Sequence, residues 1–190
     1  MKEAFVAQSP SSHAAFRKVF DENHDAVHMF CLRRLNVEDA NEATADVFLV
    51  AWRRVDQIPS DSEALPWLYG VARNVVRNQH RSRNRGARLV ARLGSVREAP
   101  PEQPEPQIIR RQEEAEVHEA LGRLRAQDQE LLRLKAWEGL SNDQIGKLLG
   151  MSHRAVEGRY ARALNKLSKI LSTERQVRTS PRLAQEGGEQ

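Results

Sequence analysis

The side chains of this chain that could do chemistry are cations and amides rather than nucleophiles. Arg73, Arg77, Arg81, Arg83, Arg85, Arg88, Arg92 and Arg97 follow one another with no carboxylate among them, after a stretch from Glu38 to Glu63 that is mainly acidic. A single-sign run of this kind is a footprint for a polyanion, its alternative being a merely solvated basic surface. Asn74 and Asn78 stand among the arginines, and Trp67 and Tyr69 lie just before them. Cations for phosphate, amides for base edges and rings for stacking are what a single-stranded nucleic acid requires, although Trp67 itself is expected in the core. A second basic face carries Arg154, Gly158, Ala161, Arg162 and Asn165. His24 and His28 have the four-residue spacing of a helical metal pair, but no third ligand stands at useful spacing, so they read as surface or interfacial histidines. No phosphate-cradling glycine loop and no nucleophile triad is present, so no catalytic residue, metal or cofactor is expected and an enzyme is disfavoured.

The second basic face belongs to Ser141–Leu167. Ser141 is a good N-cap, with Gln144 three residues on to complete a capping box. Ile145, Leu148 and Leu149 mark an apolar face, Gly150 can take the left-handed backbone that stops a helix, and Ser152 can cap the next. Val156, Tyr160, Ala163, Leu164 and Leu167 then share the inner face of a longer helix. A short helix, a glycine turn and a longer helix with a basic outer face is the helix-turn-helix pattern. Gly158 leaves that outer face bare, which lets a helix approach a ligand closely.

The remaining elements are also helical. The chain has 190 residues, a net charge of +4 and 5% aromatic residues, which favours helix over sheet and admits one or two small domains. After a loose arm, Ser12 caps a helix to about Leu35, with Phe16, Val19, Phe20, Val27, Phe30 and Cys31 buried. Asp39 and Glu42 open a second helix to about Val55, whose core face holds Ala40, Ala43, Val47, Phe48, Ala51, Trp52 and Val55. On its other side Glu42, Asp46, Leu49 and Arg53 form a stripe with one apolar residue among charges, a candidate docking face. A polar loop, Asp56–Ala64, precedes a third helix with Pro66 in its first turn.

Residues 86–107 contain APPEQPEP and are expected to form a flexible, extended linker. Two further helices follow, one holding Val117, Ala120, Leu121 and Leu124, the next capped by Asp128, holding Leu131, Leu132, Leu134 and Trp137, and ended by Gly139. The tail from 172 to 190 is expected to be disordered. The expected organisation is thus all-α: a helical domain over 13–85, the linker, and a helix-turn-helix domain over 108–171. One cysteine, Cys31, excludes an intrachain disulfide and suits a reducing cytoplasm. No leader-like apolar core opens the sequence and no stretch is apolar for the ~20 residues of a membrane span, so a cytoplasmic location is expected.

Three segments in series carry a family resemblance: Asp46-Val-Phe-Leu-Val-Ala-Trp52, Trp67-Leu-Tyr-Gly-Val-Ala-Arg-Asn74, and Trp137-Glu-Gly-Leu-Ser141 leading into the helix-turn-helix. Together they resemble bacterial RNA polymerase sigma factors of the sigma-70 family, extracytoplasmic-function type, over roughly Ala14–Leu171. The resemblance implies a transcription initiation factor that binds core polymerase and directs it to promoters by −10 and −35 recognition and strand opening. The first domain resembles sigma-2. Its stripe of Glu42, Asp46, Leu49 and Arg53 would dock on the clamp helices of the largest polymerase subunit. Asn74, Arg73, Arg77 and Arg81, with Asp61 and Ser62 of the polar loop, would contact single-stranded −10 DNA. The second domain resembles sigma-4, in which His153, Arg154, Glu157, Gly158, Arg159 and Arg162 would face duplex −35 DNA. The linker would thread through the polymerase. An anti-sigma factor covering the apolar stripe when idle is a further expected partner.

Three residues depart from the family pattern: Ala45 where many relatives have Gln, Gly146 where Ala is usual, and Glu157 where a base is often found. Glu157 could accept from cytosine N4, or pair with Arg154 or Arg162 and aim it. The rival readings are a helix-turn-helix regulator that binds duplex DNA without acting as a sigma factor, and an adaptor that uses the Leu49 stripe for docking alone.

Overall fold

The computed structural model describes residues 10–92 and 110–179. It divides into two compact units, Met1–Glu105 and Pro106–Gln190, and the described residues of both are helical, without strands.

The first unit packs three helices. α1 (Pro10–Leu32) and α2 (Val37–Arg53) pair through Val27, Phe30 and Cys31 on one side and Ala40, Ala43, Val47, Phe48 and Ala51 on the other. α3 (Ala64–Arg92) closes the core with Leu68, Tyr69, Ala72 and Val76. Alanines at the α2 contact let the helices approach closely, while Phe16, Phe20, Phe48 and Trp52 fill the open end with edge and tilted ring contacts of 4.7–6.4 Å. α2 starts from Asn36, whose side chain accepts from the Asp39 amide at 2.9 Å. Asp39 is therefore not the cap that the sequence pattern suggests; it lies inside the first turn, where its charge complements the helix dipole.

Other boundaries shift as well. α1 begins at Pro10, before Ser12, because proline is tolerated in a first turn. The loop between α2 and α3 contains two short 3-10 turns, Val55–Gln57 and Asp61–Glu63. Pro66 sits in the first turn of α3 as expected. The helix then runs to Arg92, seven residues past the expected linker boundary at 85/86, so Gly86 does not end it. The extended segment expected around Ala99–Pro106 lies outside the described residues, as do the ends of the chain.

The second unit holds α4 (Arg110–Gly122), α5 (Ala126–Ala136), α6 (Asn142–Leu149) and α7 (His153–Thr179). Leu121, Leu124, Leu132 and Ala163 form a core, with Val117, Tyr160, Leu167 and Ile170 packed against it. α5 starts after Arg125 without a side-chain cap, and Asp128, expected as that cap, is buried inside the helix. Trp137 is 42% exposed and Leu164 46% exposed, so neither is the core residue its register suggested. α7 continues through Ser172 to Thr179, which makes the first part of the expected disordered tail helical.

Candidate nucleic-acid interface

The geometry of the second unit follows from the chain between α5 and α7. Gly139, at φ +65°, turns the chain out of α5. Ser141 then accepts from the Gln144 amide at 3.2 Å, while Gln144 Oε1 accepts from the Ser141 amide at 3.0 Å, completing the capping box. α6 stops at Gly150, whose φ of +68° a residue with a Cβ rarely adopts. The turn folds back so tightly that a Cβ on Gly146 would stand 2.6 Å from the Met151 carbonyl oxygen. Ser152 Oγ accepts from the Ala155 amide at 3.3 Å and starts α7. Ile145 of α6 and Val156 of α7 are both fully buried.

This packing leaves Arg154, Glu157, Ala161, Arg162 and Asn165 exposed along one side of α7. Among the described residues Glu157 forms no ion pair, so it does not aim Arg154 or Arg162 within the isolated protein. A Cβ on Gly158 would meet only Arg162 Nη1, at an ordinary 3.5 Å, so nothing inside the protein requires glycine there. His153 is tied to α6: Nδ1 lies 2.8 Å from Asp143 Oδ1, and Nε2 lies 3.4 Å from the Asn142 amide. Lys135 donates to the same Asn142 at 2.9 Å.

Arg159 stands apart from the other expected contact residues. Its Nε donates to Asp128 Oδ1 at 2.8 Å and its Nη2 to Gln127 Oε1 at 2.8 Å, which turns it toward α5. Lys166 Nζ adds a second charge 3.5 Å from Asp128 Oδ2. Burial alone would raise the Asp128 carboxyl; the Arg159 hydrogen bond and charge, with Lys166, outweigh it and hold the group below the usual carboxylate range. His118, in α4, is held below the ordinary imidazole value by burial first and by Arg133 second.

In the first unit, α3 carries Asn74, Arg77 and Arg81 exposed, with Arg73 half-buried. Ser62 is exposed in the turn before it; Asp61 occupies the start of the same turn. The aromatic pair divides differently from expectation. Tyr69 is buried and stacks on Phe30 at 5.1 Å, whereas Trp67 is half-buried and remains within reach of solvent. On α2, Glu42, Asp46, Leu49 and Arg53 are all exposed, Leu49 to 46%, as a stripe on the side turned away from Val47 and Phe48.

His24 and His28 lie in the α1–α2 seam. Their rings stack 6.0 Å apart, His24 against Phe48 and His28 Nδ1 3.2 Å from Thr44 Oγ1. Among the described residues no three His, Cys, Asp or Glu side chains could hold a metal, and no helix is long and apolar enough to cross a membrane.

Two acids expected as helix caps form ion pairs between helices instead. Asp39 of α2 pairs with Arg83 of α3, and Asp128 with Arg159. Both carried a signal in their register. Asp39 precedes Ala43 and Val47 by multiples of four, and Asp128 precedes Leu131 and Leu132 by three and four, so each acid falls on a buried face and needs a cation there.

Comparison with known proteins gives a consistent result in both units. Residues 19–86 match the model for sigma-70 region 2, and residues 114–167 the model for sigma-70, region 4. The chain is 33% identical over 144 residues to the RNA polymerase sigma factor CnrH of Cupriavidus metallidurans, covering 72% of this chain and 75% of that one. It is 31% identical over 140 residues to the RNA polymerase sigma factor NccH of Alcaligenes xylosoxydans xylosoxydans, covering 71% and 74%. Among solved structures, CnrH in complex with the cytosolic domain of CnrY is similar, with a TM-score of 0.62, 26% identity, and coverage of 85% of this chain and 90% of that one. The sigma factor RpoE from Bartonella quintana, solved with the anti-sigma factor NepR, shares the fold with a TM-score of 0.67 and 22% identity, over 84% and 98% of the two chains.

Proposed function

The chain belongs to the sigma-70 family of bacterial RNA polymerase sigma factors, in its extracytoplasmic-function group, and from that membership we propose how its exposed faces are used. It is a transcription initiation factor that directs RNA polymerase to promoters; the chemistry of RNA synthesis is the polymerase's. A duplex-binding regulator without sigma activity would not need the region 2 unit over residues 19–86.

The first unit, over about residues 13–85, docks on the polymerase and opens the −10 element. Glu42, Asp46, Leu49 and Arg53 meet the clamp helices of the largest subunit. The charged positions set orientation, and Leu49 supplies the desolvated centre that an interface needs. Asn74 contacts a −10 base, Arg77 and Arg81 hold phosphates, and Arg73 assists from the edge of the helix. The Asp61–Ser62 turn receives a base flipped from the non-template strand. Unstacking a base costs a few kcal/mol, which stacking and hydrogen bonds in the capturing site must return; half-buried Trp67 is placed beside that turn in sequence to contribute.

The second unit, over about residues 108–171, lays the start of α7 in the major groove of the −35 element. Arg154 and Arg162 reach base edges or phosphate, Gly158 allows close approach, and Glu157 accepts from cytosine N4. His153, tied to α6, places the helix N-terminus against a phosphate. Arg159 serves the same surface indirectly through Asp128.

The protein works in the cytoplasm, where the polymerase is. Between inductions an anti-sigma factor covers the Leu49 stripe; the relative CnrH was solved with the cytosolic domain of CnrY, and an exposed apolar stripe favours a cover. The observation that carries the whole reading is the succession of a region 2 and a region 4 unit, each with an exposed cationic face. Run-off transcription from genomic fragments with purified core polymerase tests it. Transcripts that depend on added protein are expected; binding to duplex fragments without any such transcript would favour the regulator instead.

A further inference from the structure

Four side chains from three helices form a hydrogen-bonded chain at the front of the helix-turn-helix. Lys135 Nζ of α5 donates to Asn142 Oδ1 at 2.9 Å. Asn142 Nδ2 lies 3.4 Å from His153 Nε2, and His153 Nδ1 lies 2.8 Å from Asp143 Oδ1. Asn142 is the first residue of α6 and His153 the first of α7, so the chain joins the starts of both helices. The His153 side chain is 55% exposed, which leaves the ring open to a ligand.

The partners fix where the hydrogens lie. An ammonium has donors and no lone pair, so Lys135 meets the carbonyl oxygen of the Asn142 amide and turns the amide NH2 toward His153. Nε2 must then accept with its lone pair. Nδ1 carries the ring hydrogen and donates to the Asp143 carboxylate. Both ends of the chain thus select one neutral tautomer, in which His153 offers no N–H to an outside ligand. A proton on Nε2 would set that N–H against the Asn142 N–H, and Lys135 keeps the amide from turning over. The missing part is an acceptor, and a phosphate oxygen is one. Two nitrogen donors 3.4 Å apart are close enough to converge on one phosphate.

We propose that His153 takes up one proton from solvent when α7 meets the −35 duplex, and that Lys135 is a positioning residue that reserves this uptake for the bound state. Nε2–H and the Asn142 amide then donate to the same DNA phosphate, while Nδ1–H stays on Asp143. The charged groups that meet the ring are Asp143 from α6 and, across Asn142, Lys135 from α5. On α7 itself Arg154 adjoins it and Glu157 stands one turn on. This inference deepens the −35 reading of α7 and rests on it. An imidazole changes charge between about pH 5 and 8, so the coupling acts near neutrality.

The test uses holoenzyme, core polymerase with the full chain, titrated from pH 8 to 6 with a promoter duplex recovered by the run-off assay. Uptake of one proton strengthens binding by at most about tenfold per pH unit lowered. Wild type should gain at least about fivefold more affinity over this range than His153→Gln, which keeps an amide donor but does not titrate. Lys135→Met frees the Asn142 amide to accept from a protonated Nε2 before DNA arrives, so its pH slope should be shallower than wild type. Melting curves report that both variants fold. Nitrogen and carbon chemical shifts of the imidazole in the free wild-type protein, assigned by their loss in His153→Gln, should show the Nδ1–H tautomer. Equal pH slopes for wild type and His153→Gln, an Nε2–H tautomer, or a Lys135→Met slope as steep as wild type would each overturn the proposal. If wild-type holoenzyme failed to protect the −35 duplex at any pH, the −35 reading itself would fail.

Discussion

Arg159 of α7 donates through Nε to Asp128 Oδ1 of α5 at 2.8 Å, and this pair ties α7 to the body of its domain. The acid is 7% exposed and the arginine 27%, so the pair is largely withdrawn from solvent. Removing one partner leaves a charge without its counter-ion. Asp128→Asn should destabilise the protein by about 2 kcal/mol, below the range for fully buried pairs because Arg159 keeps some access to water. The pH dependence follows from the lowered carboxyl. A carboxylate whose folded-state pKa lies below its unfolded value stabilises above about pH 4 and loses that contribution as pH falls through the folded value. Melting temperatures of wild type and Asp128→Asn should therefore converge as pH drops below about 4. A constant gap across that range would remove Asp128 from the account.

Two glycines in the helix-turn-helix should respond oppositely to alanine. At Gly146 a Cβ meets Met151 backbone at 2.6 Å, and backbone does not yield cheaply. Overpacking of about 1–3 kcal/mol exceeds the gain of about 1 kcal/mol in helix propensity, so Gly146→Ala should melt earlier. At Gly158 the helix has room, and Gly158→Ala should melt later while −35 duplex affinity falls. Thermal melts beside a −35 duplex titration check both; a Gly158→Ala protein that binds as wild type would show the bare patch to be unused.

Glu157 is exposed and unpaired among the described residues, which favours a direct role at the base edges over one through a neighbouring arginine. Glu157→Lys should change the preferred −35 sequence in a selection from randomised duplexes. Tighter binding with the same preference would mean that Glu157 only repels phosphate.

The α2 stripe should separate polymerase binding from folding. Leu49→Asp replaces an exposed side chain, so stability should stay within about 0.5 kcal/mol. Affinity for core polymerase should drop at least about tenfold, or about 1.4 kcal/mol, because a charge would then occupy the apolar centre. Competition against wild type for core polymerase reads this directly, and an undiminished competitor would place the docking face elsewhere.

The sequence was legible where a local rule acts alone. The Ser141 capping box, the left-handed Gly150 and the Ser152 cap follow from backbone preferences within a few residues, and the structure has each of them. It was misleading where distant partners decide. Asp39 and Asp128 look like caps because both precede apolar periodicity, but Arg83 and Arg159 lie 44 and 31 residues away in the chain. Tyr69 is the more deeply buried ring, and half-buried Trp67 the less, because Phe30 in α1, two helices earlier, stacks on Tyr69. Helix ends were the least legible: α3 passes Gly86 and α7 passes Ser172, since neither residue stops a helix by itself.

Permanganate reactivity of promoter thymines tests most directly the claim that one unit holds the −35 duplex while the other opens the −10 element. Core polymerase with this protein should make −10 thymines reactive, and Asn74→Ala should lower that reactivity while −35 protection persists. Protection at −35 with unreactive −10 thymines in the wild-type complex would contradict it.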